Sequence, residues 1–224
     1  MMSSESGGGR KAGQQPDFLP ALKGKHGLWF YDPLIRMTLG EYAFKRRLIQ
    51  QAKIVPSARV LDAGCGTGTL LSLIQDSCPR ARLVGLDMDT RILRRARAKT
   101  AAPLTRGTAA SLPFVADSFD YVFATLFFHH LSHEERVMAF SEILRVLRPG
   151  GWLHAADFGK PRNVFARIMG KLVQMEDGAE RTRDNFAGFL PGMLERSGFE
   201  TVQEWEHQTT LFGTLALFSA QKPG

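Results

Sequence analysis

Short buried apolar runs alternate with amphipathic segments from about residue 57 onward. Arg59–Ala63 and Arg82–Asp87 are apolar and β-rich, which predicts two buried strands. Residues 69–76 and 90–100 have helical character and follow these strands. Strands that alternate with helices predict right-handed βαβ crossovers and a mostly parallel sheet with helices on both faces.

The clearest helical pattern in the chain lies at residues 133–147. Its apolar residues recur at steps of three and four, at Val137, Phe140, Leu144 and Leu147. Pro-Gly-Gly follows at 149–151, and we expect it to stop the helix. Further strands are predicted before and after this helix, over residues 119–126 and 152–157.

The ends of the chain depart from this alternation. Residues 199–207 and 210–220 are two β-rich runs with little between them, which predicts a terminal antiparallel hairpin. We expect residues 1–25 to be a disordered leader, because the start of the chain is polar and rich in Gly and Ser. The remaining residues, 26–224, are expected to form one domain. It includes an N-terminal helical segment over residues 31–53 and an inserted helical cap over residues 159–198.

Composition places the chain in a broad class without indicating its chemistry. Its 224 residues are 44% hydrophobic and 23% charged, which is ordinary for one soluble α/β domain. No apolar run approaches the roughly 20 residues that span a bilayer, and no secretory signal is visible. Cys65 and Cys78 offer neither a disulfide framework nor a metal cluster. We therefore expect a cytoplasmic protein without a metal.

The chain is basic, with a formal net charge of +7 and a sequence pI near 9.7. Such a balance is compatible with nucleic acid, a membrane surface or an anionic substrate. The basic residues are scattered, however, and Lys45, Arg46 and Arg47 fan around a predicted helix instead of sharing a face. We interpret them as part of a solvated basic surface and expect no nucleic-acid partner.

The segment 60–68, Val-Leu-Asp-Ala-Gly-Cys-Gly-Thr-Gly, is the most informative part of the sequence. It joins a strand to a helix through Gly64, Gly66 and Gly68. Glycines allow a sharp backbone turn and let a ligand approach without Cβ atoms in the way. The turn differs from a nicotinamide-dinucleotide fingerprint, which needs its third glycine at Thr69, and no Gly-Lys-Ser/Thr follows as a P-loop requires.

Asp87 ends the second predicted strand, at the carboxyl edge where open α/β sheets bind ligands. A carboxylate there can accept both hydrogens of a ribose diol, and such charge-assisted bonds are stronger than neutral ones. The alternative is that Asp87 caps the helix that starts at Thr90.

The segment 60–68 resembles motif I of the class I S-adenosylmethionine (SAM) methyltransferases. The resemblance continues in order through residues 85–87, 112–114, 118–122, 128–131 and 144–151. It covers about residues 28–220 and is similar to the ubiquinone/menaquinone-biosynthesis methyltransferases and their small-molecule relatives. This family implies a Rossmann-like, doubly wound, mostly parallel seven-stranded α/β sheet. It also implies SAM as cofactor and methyl transfer to a small-molecule acceptor, possible at oxygen, nitrogen or carbon.

The resemblance also implies a set of cofactor contacts. It assigns the methionine portion to Asp62, Gly64 and Gly66, with Gly68 shaping the turn. It assigns the ribose to Asp87 and the adenine to Met88, Thr108 and Ala109. Thr125 and Leu126 line the other side of the cofactor. Thr108 departs from the family, which usually has Asp-Ala at 108–109. A hydroxyl can still accept one bond, but the missing charge implies weaker adenine selectivity.

A general base is the remaining question, and His129 and His130 are the candidates. Imidazole titrates near neutrality and can take a proton from a hydroxyl or a carbon acid. The alternative is that one histidine packs in the core or caps the following helix. Tyr31 and Asp157 are weaker candidates. The predicted cap contains the apolar residues Met169, Met175, Phe186 and Phe189. Either they line a substrate pocket or they form only the core of the cap itself.

Several methyltransferase sub-classes are disfavoured. The fourth strand lacks the Asn/Asp-Pro-Pro-Tyr of amine and glutamine methyltransferases, and there is no Pro-Cys for cytosine C5 chemistry. A small-molecule acceptor remains the main hypothesis. Two alternatives stay open, namely a non-catalytic SAM-binding regulatory module and an RNA or protein methyltransferase.

Overall fold

The computed structural model describes residues 40–164, 188, 190–210 and 213–224. Its strands are β1 (Arg59–Ala63), β2 (Arg82–Asp87), β3 (Leu104–Arg106), β4 (Phe119–Thr125), β5 (Leu147–Gly159), β6 (Glu200–Thr210) and β7 (Gly213–Gln221). Its helices are α1 (Glu41–Ala52), α2 (Thr69–Ser77), α3 (Thr90–Ala96), α4 (His133–Val146) and α5 (Leu190–Arg196), with a 3-10 turn at Phe128–His130.

The seven strands form a single sheet in the order β3-β2-β1-β4-β5-β7-β6. The strands from β1 to β5 pair in parallel, and β7 is antiparallel to both β5 and β6. The strand order reverses at β1, which has β2 on one side and β4 on the other. Chain connections diverge at such a switch point and leave a crevice at the carboxyl edge. The predicted doubly wound α/β sheet with a C-terminal hairpin is confirmed.

A hydrophobic core lies on each face of the sheet. Neighbouring residues of β1 divide between them, because side chains alternate along a strand. Val60 packs in the cluster that contains Phe44 and Leu48 of α1, together with residues of α2. Leu61 packs in the opposite cluster with Phe140 of α4. Asp62 therefore faces the same side of the sheet as Val60 and α1.

One predicted helix end is wrong. The helix expected to reach residue 100 ends at Ala96, because the amides of Ala98 and Lys99 bond three residues back, to Arg95 and Ala96. The helix predicted over residues 133–147 spans His133–Val146, but extended backbone angles at Leu147 end it, and not the Pro-Gly-Gly that was expected to stop it. The Pro-Gly-Gly lies inside β5, where the register with β4 shifts.

The short strand β3 was not among the predicted strands, because its three residues carry no periodic signal. The helix α1 falls within the helical segment expected at 31–53, and α5 within the cap expected at 159–198, although Gly159 itself ends β5. The rest of that cap lies outside the described residues, as do the expected leader, Tyr31, Met169, Met175, Phe186 and Phe189. Within the described ranges, no helix has both the length and the apolar character needed to cross a membrane.

Candidate cofactor and catalytic site

The glycine turn after β1 is held against the end of β2. Gly64, Gly66 and Gly68 have left-handed φ angles of 75°, 54° and 76°, which glycine adopts without a Cβ penalty. The amides of Gly64 and Cys65 both donate to the Leu86 carbonyl, at 2.8 and 2.9 Å. The turn is therefore fixed by the backbone of the neighbouring strand.

Asp87 braces this turn directly. Its Oδ2 accepts from the Gly66 amide at 3.0 Å, and its Oδ1 accepts from the Asp89 amide at 2.9 Å. Partial burial raises the pKa of Asp87, against the effect of these amides. Asp89 caps α3, because its side chain accepts from the Arg91 amide at 2.7 Å. The capping alternative for Asp87 is thus wrong.

Space around the three glycines differs. A Cβ added to Gly66 would meet nothing within 4 Å, so this position is open. A Cβ on Gly64 would lie 2.4 Å from the Phe127 ring, which packs against the turn there. A Cβ on Gly68 would approach Ala96 and Thr100 at 3.2 Å. Gly64 and Gly68 thus allow close packing within the protein, and Gly66 leaves room for a ligand.

Asp62, at the end of β1, is fully buried. Neither of its carboxylate oxygens has a hydrogen-bond partner in the part of the chain that the structure describes. Burial raises the pKa of Asp62 to about 7, although the positive charge of Lys45 opposes that rise. Buried polar atoms are normally paired, so two unpaired carboxylate oxygens indicate a place for a hydrogen-bond donor that the described residues do not supply.

Lys45 does not belong to the solvated surface, and the prediction that it does is wrong. It is 7% exposed on the inner side of α1, and its Nζ donates to Glu41 Oε1 at 2.7 Å. Arg46 is exposed, as expected, and Arg47 pairs with Glu206 of β6.

The residues expected around adenine also lie at this edge of the sheet. The Gly107 amide donates to the Asp87 carbonyl at 3.1 Å, which holds the loop that carries Thr108 and Ala109 next to β2. The Thr108 hydroxyl accepts from the Ala110 amide at 3.2 Å, and Ala109 is buried. Met88 is half-buried at the end of β2.

The end of β4 supplies the opposite wall. Thr125 is buried, and Leu126 follows it with a φ of +52°, which is unusual for a residue with a branched side chain. The Leu126 amide donates to the Ala156 carbonyl at 2.7 Å, so this strained residue is held by β5.

His129 and Asp157 form a buried pair beside this wall. His129 Nδ1 lies 2.8 Å from Asp157 Oδ1, and Asp157 also accepts from the Phe127, Phe128, His129 and Phe158 amides. Burial would raise the pKa of Asp157, but His129 and these amides outweigh it and hold the pKa below its ordinary value. An ionised carboxylate only accepts, so Nδ1 is the ring nitrogen that donates to it, and in a neutral imidazole this leaves Nε2 as the acceptor.

His130 differs from His129 in exposure. Its ring is exposed and lies against the His129 ring, with centroids 3.9 Å apart. Arg136 supports the turn from α4, since its fully buried guanidinium donates to the carbonyls of Phe128 and Leu131. Neither histidine caps α4, whose N-cap is Ser132 in a capping box with Glu135.

Sequence reasoning missed three features of this site. It did not find Lys45 near Asp62, the pairing of Asp157 with His129, or the Phe127 ring over Gly64. Each joins residues far apart in the chain, and no local spacing signals such contacts. Among the described residues, no group of three or more His, Cys, Asp and Glu side chains is arranged to hold a metal ion.

Known proteins are similar to this chain in sequence and in fold. A sequence profile for the family described as "Methyltransferase domain" matches residues 60–151. A ubiquinone/menaquinone biosynthesis C-methyltransferase of Syntrophotalea carbinolica is 30% identical over 196 residues, which cover 76% of this chain and 79% of that protein.

Two solved structures show the same fold. The YcgJ protein of Bacillus subtilis matches with a TM-score of 0.69 at 18% identity, over 82% of this chain and 99% of that one. Phosphoethanolamine N-methyltransferase 2 of Haemonchus contortus, solved with SAM bound, matches with a TM-score of 0.67 at 17% identity, over 82% of this chain and 53% of that one.

The chain belongs to the class I SAM-dependent methyltransferases, as its resemblance to them predicts. It is a methyltransferase that uses SAM as cofactor. Its own residues fit that cofactor at the glycine turn. Gly66 is open to an approaching ligand, Asp87 ends β2 beside it, and Asp62 has two buried, unpaired oxygens.

Proposed function

We propose that this enzyme transfers the SAM methyl group to a small-molecule acceptor whose proton is removed by His129. SAM supplies a sulfonium methyl that is transferred by in-line attack. In this proposal Gly64, Gly66 and Asp62 hold its methionine portion, with Gly68 shaping the turn. Asp87 holds the ribose, and the remaining contacts come from Met88, Thr108, Ala109, Thr125 and Leu126.

The protein's first contribution is alignment. Positioning of two reactants can supply roughly 7–11 kcal/mol of a barrier without any covalent step. The hydrogen bond from the Gly66 amide to Asp87 Oδ2, at 3.0 Å, joins the glycine turn to the end of β2. These two cofactor-binding elements therefore hold a fixed relative position. Thr125 and the strained Leu126 form the wall at the end of β4. In this proposal the acceptor lies beyond the transferred methyl group, on the side opposite the SAM sulfur.

The pairing of His129 with Asp157 carries the proposed base. The buried, ionised Asp157 fixes the tautomer of His129 and leaves Nε2 as the proton acceptor. The two rings differ in burial, since His129 is buried with its Nδ1 2.8 Å from Asp157 Oδ1, whereas His130 is exposed to solvent. We therefore assign the base to His129 and not to His130.

A phenolic or quinol-type acceptor suits such a base. The relative from Syntrophotalea carbinolica is named for C-methylation in ubiquinone/menaquinone biosynthesis. Removal of a phenolic proton makes the neighbouring ring carbon a better nucleophile, and an imidazole can accept that proton near neutral pH. We propose methyl transfer to carbon of such a ring. The bond from the ring carbon to the methyl group would form as the methyl–sulfur bond breaks, S-adenosylhomocysteine would leave, and the proton on that ring carbon would be lost to solvent, which restores the aromatic ring. Transfer to the ring oxygen is the other product to be resolved.

The test is an assay with purified protein, deuteriomethyl-labelled SAM and a dihydroxynaphthalene with a free ring carbon. Mass spectrometry should find the label on the naphthalene, and fragmentation should locate it on carbon. Label on oxygen would correct the site of methylation. Absence of transfer to this probe and to a panel of phenols, with SAM bound normally, would reject the acceptor class.

A further inference from the structure

The amino edge of the sheet carries two arginines that the methyltransferase site does not explain. Arg59 begins β1 and Arg82 begins β2, and the two residues are register partners in this parallel pair. Register partners on neighbouring strands point to the same face of the sheet, with the strands about 5 Å apart. Like charges placed side by side on a sheet are destabilising. Folding stability alone is therefore a poor reason for this arrangement.

Neither guanidinium group is neutralised by an acid among the residues that the structure describes. Both arginines are exposed. The acid that contacts Arg59 is Asp120, and its carboxylate is already engaged by other groups. One oxygen accepts from the backbone amide of Arg59 at 2.6 Å, and the other forms an ion pair with Arg148. The two guanidinium groups therefore remain available to an anion.

A cleft of about 440 Å³ lies beside these arginines, and both of them line it. Its apolar lining includes Val84, Pro103 and Phe119. This volume falls within the roughly 300–1,000 Å³ of small-molecule sites, which combine an apolar lining with a few polar or charged groups. The cleft thus offers an apolar surface next to two positive charges.

The connection from β3 to β4 accounts for this cleft. Residues 107–118, all of which the structure describes, contain no helix, although a parallel crossover usually carries one. Leu112 of this connection packs in the same core cluster as Leu86, near the carboxyl end of β2. Toward the amino end of the strand, Val84 is only half-buried and Arg82 is exposed. The short connection therefore covers one half of β2 and leaves the other half to form the cleft.

The surrounding charge also favours an anion. Residues 80–106, which contain β2, α3 and β3, include eight basic and two acidic residues, a net charge of +6 out of the +7 of the whole chain. Arg94, Arg95 and Arg97 of this segment are exposed. A surface with one sign of charge raises the local concentration of ions of the opposite sign. Anions are thus attracted to this side of the molecule.

We infer that this cleft binds a small organic phosphate monoester, with its phosphate group between Arg59 and Arg82 and its organic part against the apolar lining. The planar guanidinium group matches the oxygens of a phosphate and forms paired hydrogen bonds with them. The two positive charges also complement a phosphate monoester, which carries about 1.5–2 negative charges at neutral pH.

This second site is separate from the proposed cofactor site. The arginines begin β1 and β2, whereas the glycine turn and Asp87 lie at the other ends of the same two strands. Five or six residues at about 3.3 Å each place the two sites roughly 15 Å apart. The inference does not rest on the acceptor, on His129 or on the contacts proposed for SAM.

Titration of the SAM-saturated protein with phenyl phosphate, followed by NMR of the backbone amides, tests the inference. Inorganic phosphate, which lacks the organic part, and benzyl alcohol, which lacks the charge, are the comparison ligands. The proteins are the wild type, Arg59→Gln, Arg82→Gln and Arg97→Gln. Arg97 is the matched control, because it is exposed and belongs to the same basic segment but does not line the cleft.

The wild type should bind phenyl phosphate saturably, with the largest shifts at the amides of Arg82, Val84 and Ala102. Inorganic phosphate should bind more weakly, and benzyl alcohol should not bind. Arg59→Gln and Arg82→Gln should each weaken phenyl phosphate binding by about threefold to tenfold, because each loses a charge-assisted bond that solvent partly screens. Arg97→Gln should stay within about twofold of the wild type.

An equal loss of affinity in Arg97→Gln and in the two cleft variants would assign the binding to the general positive charge and overturn the inference. Shifts centred on the amides of the glycine turn, or binding only to the SAM-free protein, would place the anion in the cofactor site and refute it as well. So would the absence of saturable binding by the wild type. The shift map of the wild type needs no variant, so the test stands even where a variant does not fold.

Discussion

The Gly66 amide donates to Asp87 Oδ2 at 3.0 Å, so the loop after β1 and the end of β2 form one unit. The same carboxylate is the proposed ligand of the ribose hydroxyls. Its Oδ1 is held by the Asp89 amide at 2.9 Å, which orients the side chain before any ligand arrives. A residue that is preorganised in this way loses little freedom on binding.

Replacement of Asp87 by alanine should weaken SAM binding by about 1.5–3 kcal/mol, because a charge-assisted acceptor is lost. The measurement is titration calorimetry with SAM. Asp76→Ala on the exposed side of α2 is the control and should bind like the wild type. An unchanged affinity in Asp87→Ala would remove Asp87 from the cofactor site.

Alanine at Gly64 and at Gly66 should have different effects. Both residues have positive φ angles, so each variant is strained by about 1–2 kcal/mol. Gly64→Ala also places its Cβ 2.4 Å from the Phe127 ring, and we expect the larger fall in melting temperature there. Gly66→Ala meets no protein atom within 4 Å, so its main loss should be SAM affinity.

Thermal unfolding without cofactor and SAM titration on both glycine variants measure the two effects. Gly66→Ala with wild-type SAM affinity would show that the open space beside Gly66 is not used. Equal stability of the two variants would contradict the role given to Phe127.

Asp62 should make the stability of the cofactor-free protein depend on pH. Its pKa is raised from 3.8 to about 7 in the folded protein, so the folded state binds the proton more tightly than the unfolded state. The associated stability is fully present below about pH 4 and is lost as the pH rises to about 7. Its size is on the order of 4 kcal/mol, since one pKa unit corresponds to about 1.4 kcal/mol.

Asp62→Asn removes this titration. We expect it to melt higher than the wild type at pH 8, with a smaller difference at pH 5, and to bind SAM more weakly at both. Calorimetric melting at the two pH values, without ligand, gives the comparison. A variant that is less stable than the wild type at pH 8 would mean that the ionised carboxylate is paired in the folded protein.

The two histidines should separate in a kinetic assay. His129→Ala should lower kcat by about a hundredfold or more, the scale of a lost general base, with little change in SAM affinity. His130→Ala serves as the matched control and should stay within about twofold of the wild type. If His130→Ala lowers kcat more than His129→Ala does, His130 and not His129 is the general base.

Much of this site could be predicted because its central residues follow one another in the sequence. Segment 60–68 contains the strand, the three glycines and the helix start, and Asp87 ends the next strand, so local patterns suffice. Lys45 could not be placed, since its burial depends on how α1 packs on the sheet. His129 and Asp157 lie on separate elements, and only the pairing of β4 with β5 brings them together.

The difference between local patterns and long-range pairing also explains the errors in the predicted fold. The glycine and proline residues at 149–151 are typical of a helix stop, but extended backbone angles at Leu147 end α4 earlier. The bulge where β5 meets β4 then accommodates these residues within a strand. Strand β3 is defined by its neighbour β2 and not by its own three residues.

The most direct test of the account is label transfer from deuteriomethyl SAM into a metabolite extract, followed by mass spectrometry. The wild type should label a small molecule, and Asp87→Ala, at a SAM concentration that saturates only the wild type, should label it far more slowly. Transfer at the same rate by both proteins would remove Asp87 from the cofactor site, and no labelled product from a wild type that binds SAM would refute methyl transfer to a small molecule.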